Sequence, residues 1–199
     1  MSGPERRQAL LDAGRRLFAR QGFYGVSVGD IAAEAGCSEA ILYRHFASKQ
    51  ALLAAVNARM AMRFRDALAR AAADAGDDPF AGVVRQLAAS VDDPHMPEAL
   101  RLRSLTVTMV HDPEVKAVID GVATRFKDVI TEAARASQAN GHLRDDIPAE
   151  EAMRLLGGVS FLAAFECAHH GDEAVARMVG TAQALLTLLR PAAPRKEGT

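Results

Sequence analysis

The chain has no tryptophan, only two cysteines, and no apolar run of the length a bilayer demands. Each scarcity removes a class of protein. Cys37 and Cys167 build neither a disulfide framework nor a zinc cluster, which fits a reducing cytoplasm. A membrane span needs about 18 consecutive apolar residues. The best stretch, near 155–168, is broken by Gly157, Gly158 and Glu166. The first residues, MSGPERRQ, lack the apolar centre of a secretion signal. There is no Gly-rich phosphate loop, no Ser-His-Asp order and no cofactor motif, so the expectation is a protein that is not an enzyme and holds no cofactor. Glu166-x-x-His169-His170-x-x-Glu173 has a spacing metal sites use. Helix-end chemistry explains it better: cations suit a last turn before Gly171, and acids suit the next helix start. No metal is expected.

What the chain has is helix. It carries forty alanines, the best helix former, and 49 % hydrophobic residues, enough for a core. Apolar residues recur at helical spacing and nowhere alternate as in strands. The fold class expected is all-α. Nine helices are predicted, at about 4–21, 27–35, 38–46, 48–73, 79–91, 98–110, 113–140, 149–170 and 172–190. Three short helices form an N-terminal helix-turn-helix unit over 1–47. A continuous fourth helix joins it to a six-helix domain over 48–190, the part expected to bind ligand and dimerise on the grounds given below. Residues 191–199 are a disordered tail. Net charge is −1 overall, but residues 1–50 carry +2 and the remainder −3, a balance that permits nucleic acid at the N-terminal end.

The second and third helices are the informative ones. Ser27-Val-Gly-Asp30 opens the second as a capping box. Gly36 ends it with a left-handed turn, and Ser38 opens the third. A helix as short as the third is unstable alone in water. Ile31, Ala35, Leu42 and Phe46 are placed to share a small core with Leu17 and Phe18. That leaves a polar face to read DNA. Ser38, Glu39 and Ile41 stand at the reading end, where Glu39 suits cytosine N4 and Ile41 a thymine methyl. Tyr43, Arg44, His45 and Lys49 offer donors to phosphate, and so does Ser27.

SVGDIAAEAGCSEAILYRHFASKQALL closely resembles the N-terminal signature of the TetR family of bacterial transcriptional repressors. It matches at Ile31-Ala32, Ala35-Gly36, Ser38, Ala40, Leu42-Tyr43, Phe46 and Ser48-Lys49. It departs at Ser27, Cys37, Ile41, His45 and Gln50, and Ile41 takes a hydroxyl off the reading helix. The resemblance covers residues 8–55. It implies a ligand-responsive, sequence-specific DNA-binding regulator, commonly a repressor, acting in the cytoplasm as a homodimer. It implies a near-palindromic double-stranded operator, with Tyr43 and Lys49 on phosphates.

Helices eight and nine are apolar around most of their circumference, which asks for cover beyond one chain. The expected twofold interface uses Leu155, Val159, Leu162, Met178 and Leu185. The inner stripes of helices four, six, seven and eight converge on Met60, Phe64, Leu105, Met109, Phe126, Phe161 and Phe165, with His111 and Glu166 as nearby polar groups. This set is either packed core or an adaptable pocket for a small lipophilic effector. The resemblance favours the pocket.

Overall fold

The computed structural model describes residues 2–107, 111–170 and 173–191, apart from the side chains of 107, 168 and 170. Among these residues the regular elements are all helices. The helices are α1 (Gly3–Gln21), α2 (Val28–Glu34), α3 (Glu39–His45), α4 (Lys49–Ala73), α5 (Pro79–Ala89), α6 (Met96–Val107), α7 (Pro113–Ala139), α8 (Ala149–His170) and α9 (Glu173–Leu189). No described helix is long and apolar enough to cross a membrane.

Local chemistry sets the helix ends. The expected box opens α2: Asp30 N donates to Ser27 Oγ at 3.0 Å, and Ser27 N donates to Asp30 Oδ2 at 2.8 Å. Those bonds, the Ser27 hydroxyl's first, hold the Asp30 carboxyl below its ordinary pKa. A second box, Ser2 with Glu5, opens α1. At the end of α2, Gly36 has φ of 66°. Cys37 N donates to Ala32 O at 2.9 Å and Gly36 N to Ala33 O at 3.0 Å. This paired closure satisfies the last carbonyls and needs a left-handed residue between them. Helix α5 stops at Ala89, two residues before the expected end. Ser90 Oγ donates to Leu87 O at 2.5 Å and the chain tightens into a 3-10 turn over Ser90–Asp92.

The contacts divide the chain into two compact units. The first holds residues up to Arg63 together with Pro97–Thr124. Its core joins Leu17, Phe18, Ile31, Ala35, Leu42 and Phe46, the set that the helical spacing selects. Leu52, Leu53 and Val56 of α4 and Leu102 of α6 are fully buried in the same core. The helix-turn-helix is thus completed by side chains well beyond residue 47. Burying a Leu or Phe side chain contributes about 1.5–3 kcal/mol, and this core supplies what seven-residue helices lack.

The second unit holds Phe64–Met96 and the residues from Arg125 on. Within it α9 packs along α8 and against α5. Asp78 fastens three of its segments. Its carboxylate accepts from Ala81 N at 3.2 Å, from Ser137 Oγ on α7 at 2.9 Å, and from Arg190 just past α9 at 2.5 Å. Ser137 Oγ in turn accepts from Phe80 N. The tail expected at 191–199 lies, after Pro191, outside the described residues.

Candidate nucleic-acid interface

Helix α3 presents three faces. Leu42 points into the core and is fully buried. Ser38, Glu39, Tyr43 and Arg44 are exposed, and Ile41 and His45 are half-buried. The Tyr43 ring is 51 % exposed, so it is a surface tyrosine and not a core one. Ser38 makes no capping bond with its side chain. Its hydroxyl is therefore available, as an operator contact requires. Arg44 forms no ion pair among the described residues. The exposed residues stand on a seven-residue helix held at both ends, by the Gly36 turn and by the buried Phe46.

Two of the expected phosphate donors are otherwise engaged. Ser27 Oγ donates to Asp30 Oδ2 at 2.6 Å, and Ser27 N donates to the same carboxylate. Both of its donors are spent on the cap, so it does not stand as the free phosphate donor expected. Lys49 Nζ donates to Phe23 O at 2.9 Å and Val26 O at 2.8 Å, and lies 4.2 Å from the centre of the Phe23 ring. An ammonium has three donors, so one remains for a phosphate. The sequence reading missed this second task because it joins residues 23 and 26 apart.

Other cations nearby are also partly used. Arg16 pairs with Glu34 at 2.9 Å and Arg15 with Glu98 at 2.9 Å. The Arg7 guanidinium lies 4.9 Å from the Phe46 ring centre, a cation–π contact that supports α3 from behind. Tyr24, in the turn before α2, is 91 % exposed and packs edge-on against Phe23. It was not among the expected contacts; an exposed aromatic beside the reading unit is the signal that points to it.

The expected effector set is divided between the units. Met60 and Leu105 lie half-buried against the core of the first. His111 is exposed in a turn. Met109 lies outside the described residues. In the second unit Phe64 and Phe126 face one another with ring centres 6.3 Å apart. Glu166 pairs with Arg177 at 3.2 Å. Phe161 and Phe165 require correction. Each is 53 % exposed, on the outer side of α8, not on an inner stripe. The inner side of α8 is made of Ala152, Leu156, Ala163, Ala164 and Cys167, all buried. These are mostly small, so helices approach closely there and bulky rings are left outside.

That outer side matters for the expected twofold interface. Of the eight large hydrophobic residues exposed among the described residues, five lie on α8 and α9: Leu155, Phe161, Leu162, Phe165 and Leu188. Of the residues expected at the interface, Leu155 and Leu162 are exposed, and Val159 and Leu185 are half-buried. Met178 is corrected: it is 3 % exposed and belongs to the interior of its own chain. Ala163 and Ala164 likewise face inward. An open groove of about 330 Å³ runs between α8 and α9 past Val159, Leu162 and the Glu166–Arg177 pair.

One half-buried cation was not foreseen. Arg103 on α6 forms no ion pair or side-chain hydrogen bond among the described residues, and burial pushes its guanidinium pKa down.

Comparison with known proteins agrees with this geometry. Residues 10–56 match the family model described as bacterial regulatory proteins, tetR family. The chain is 28 % identical over 149 residues to the transcriptional repressor AcnR of Corynebacterium efficiens, covering 72 % of each chain. It is 27 % identical over 196 residues to the regulator UidR of Escherichia coli K12, covering 92 % of this chain and 90 % of that one. Its fold matches a regulator from Saccharomonospora viridis solved in complex with choline, with a TM-score of 0.77, 22 % identity, and 92 % and 96 % of the two chains covered.

Proposed function

We propose, from the premise that this chain belongs to the TetR family of bacterial transcriptional regulators, that it represses transcription by holding a near-palindromic operator as a homodimer. The observation that carries this is α3: a short helix anchored by Leu42 and Phe46, with Ser38, Tyr43 and Arg44 turned outward and unspent. Such a helix enters a major groove with its first residues on base edges while its neighbours grip phosphate. Two copies one DNA turn apart, about 34–36 Å, read two half-sites.

The dimer is formed through α8 and α9. Five exposed apolar side chains concentrated on two helices are more than a chain leaves in water without purpose. Pairing these faces across a twofold axis removes them from solvent. Phe161 and Phe165 then serve the interface and not the effector.

A small apolar effector releases the operator. Its site includes the Phe64–Phe126 pair, where half-buried rings can repack. Helix α4 carries the message: it begins at Lys49, bonded to the turn before α2, and continues past Phe64 to Ala73. Shifting an equilibrium from 1:99 to 99:1 requires the effector to favour one state by about 5.5 kcal/mol. The regulator acts in the cytoplasm, where its DNA lies.

The test is a thermal-shift panel of apolar compounds, with choline included because a regulator of the same fold was solved with it. Each stabilising compound is then titrated against the protein on operator DNA. Release of DNA by a stabilising compound, abolished by Phe64→Ala, supports the effector reading. Stabilising compounds that leave operator affinity unchanged refute it.

A further inference from the structure

Gly29 stands in the middle of the first turn of α2, and its backbone gives no reason for glycine. Its φ is not positive, and a glycine inside a helix weakens it relative to alanine. The reason lies in space. A Cβ on residue 29 would stand 2.8 Å from Glu39 Oε1 and 3.8 Å from Glu39 Cδ. The missing methyl is the seat of the Glu39 carboxylate. Glu39 is the first residue of α3, the end of the helix that meets base edges. Its side chain is exposed and makes no hydrogen bond or ion pair among the described residues. It rests over the bare Cα of Gly29 and is free to accept a bond from a base.

We propose that Gly29 and Glu39 form one specificity element. Glu39 accepts a hydrogen bond from cytosine N4 in each half-site, and Gly29 is the positioning residue that lets its carboxylate rest where that bond is made. The chemistry narrows the base. A carboxylate is acceptor-only, and in the major groove cytosine presents a lone amino donor, whereas guanine presents only acceptors. Away from such a donor the carboxylate meets phosphate repulsion, so Glu39 acts mainly by discrimination. This rests on the DNA-reading function proposed above.

The test is selection of binding sites from random duplexes by the full-length protein and its variants. The wild type enriches cytosine at one position per half-site, and changing that pair weakens binding about five- to 150-fold. Glu39→Ala loses this preference. Gly29→Ala lowers it at least about five-fold, while preferences elsewhere in the site stay as in the wild type. Gly29→Ala melts at or above the wild-type temperature, since alanine is the better helix former. In a Glu39→Ala background, Gly29→Ala changes nothing further. An unchanged motif in Gly29→Ala, or an effect that persists without Glu39, overturns the pairing and leaves the DNA-reading function standing. A wild type that enriches no sequence at all overturns both.

Discussion

Lys49 Nζ donates to the carbonyl of Val26 at 2.8 Å, so the first residue of α4 is bonded to the turn that launches α2. The same amine bonds Phe23 O and covers the Phe23 ring. Lys49→Ala should therefore do two things. It removes charge-assisted bonds to two carbonyls, at a cost of about 2 kcal/mol in the stability of the first unit. It also removes the third donor from phosphate, reducing the log–log salt slope by about one. Denaturant melts and salt titrations separate the two effects. An unchanged salt slope with reduced stability leaves Lys49 a positioning residue only.

Asp78 gives the second unit an acid limit. Burial works to raise its pKa, but bonds from Ser137, the Ala81 amide and Arg190 outweigh it, and its pKa is lowered. A carboxyl with a depressed folded pKa adds stability that is complete above its unfolded value, about 3.9, and is lost as pH falls through the folded one. Thermal melts should thus fall below about pH 4. Asp78→Asn should cost about 2 kcal/mol at neutral pH and flatten that acid decline. Equal pH profiles for the two proteins would deny Asp78 this role.

Arg103 should be replaceable at a profit to stability. Burial that lowers the pKa of a cation, with no partner for it among the described residues, opposes folding. Arg103→Met keeps length and apolar contact, and should stabilise the protein by on the order of 1 kcal/mol in chemical unfolding. A loss of stability would show that the guanidinium has a partner in solution.

The outer side of α8 should hold the dimer. Leu162 is 51 % exposed beside the groove. Leu162→Glu places a charge in the proposed interface. Light scattering should show a dimeric wild type and a monomeric variant of unchanged helix content. A monomeric wild type, or a dimeric variant, contradicts the interface.

How far the sequence was legible follows from these residues. The Ser27–Asp30 box, the Gly36 turn and the Leu42–Phe46 anchor are local rules acting over three to six residues. They were readable because each needs particular residue types at fixed spacing. Sidedness of α8 was not readable. Leu155, Leu156, Phe161, Leu162 and Phe165 surround it, and periodicity cannot tell an inner face from an outer one when both are apolar. Small side chains face inward there, contrary to the usual weight given to large ones. Lys49 and Gly29 were opaque for another reason. Their tasks join residues 23 or more and 10 positions away, a juxtaposition that only the folded backbone makes.

Operator binding itself can be tested by fluorescence anisotropy of the full-length protein on duplex DNA from upstream of its own gene, with excess unrelated duplex as competitor and at two salt concentrations. Binding that survives the competitor, weakens with salt, and is lost in the double variant Tyr43→Ala with Arg44→Ala is the expected result. Affinity equal for that DNA, for unrelated duplex and for sites selected from random DNA would contradict a sequence-specific regulator.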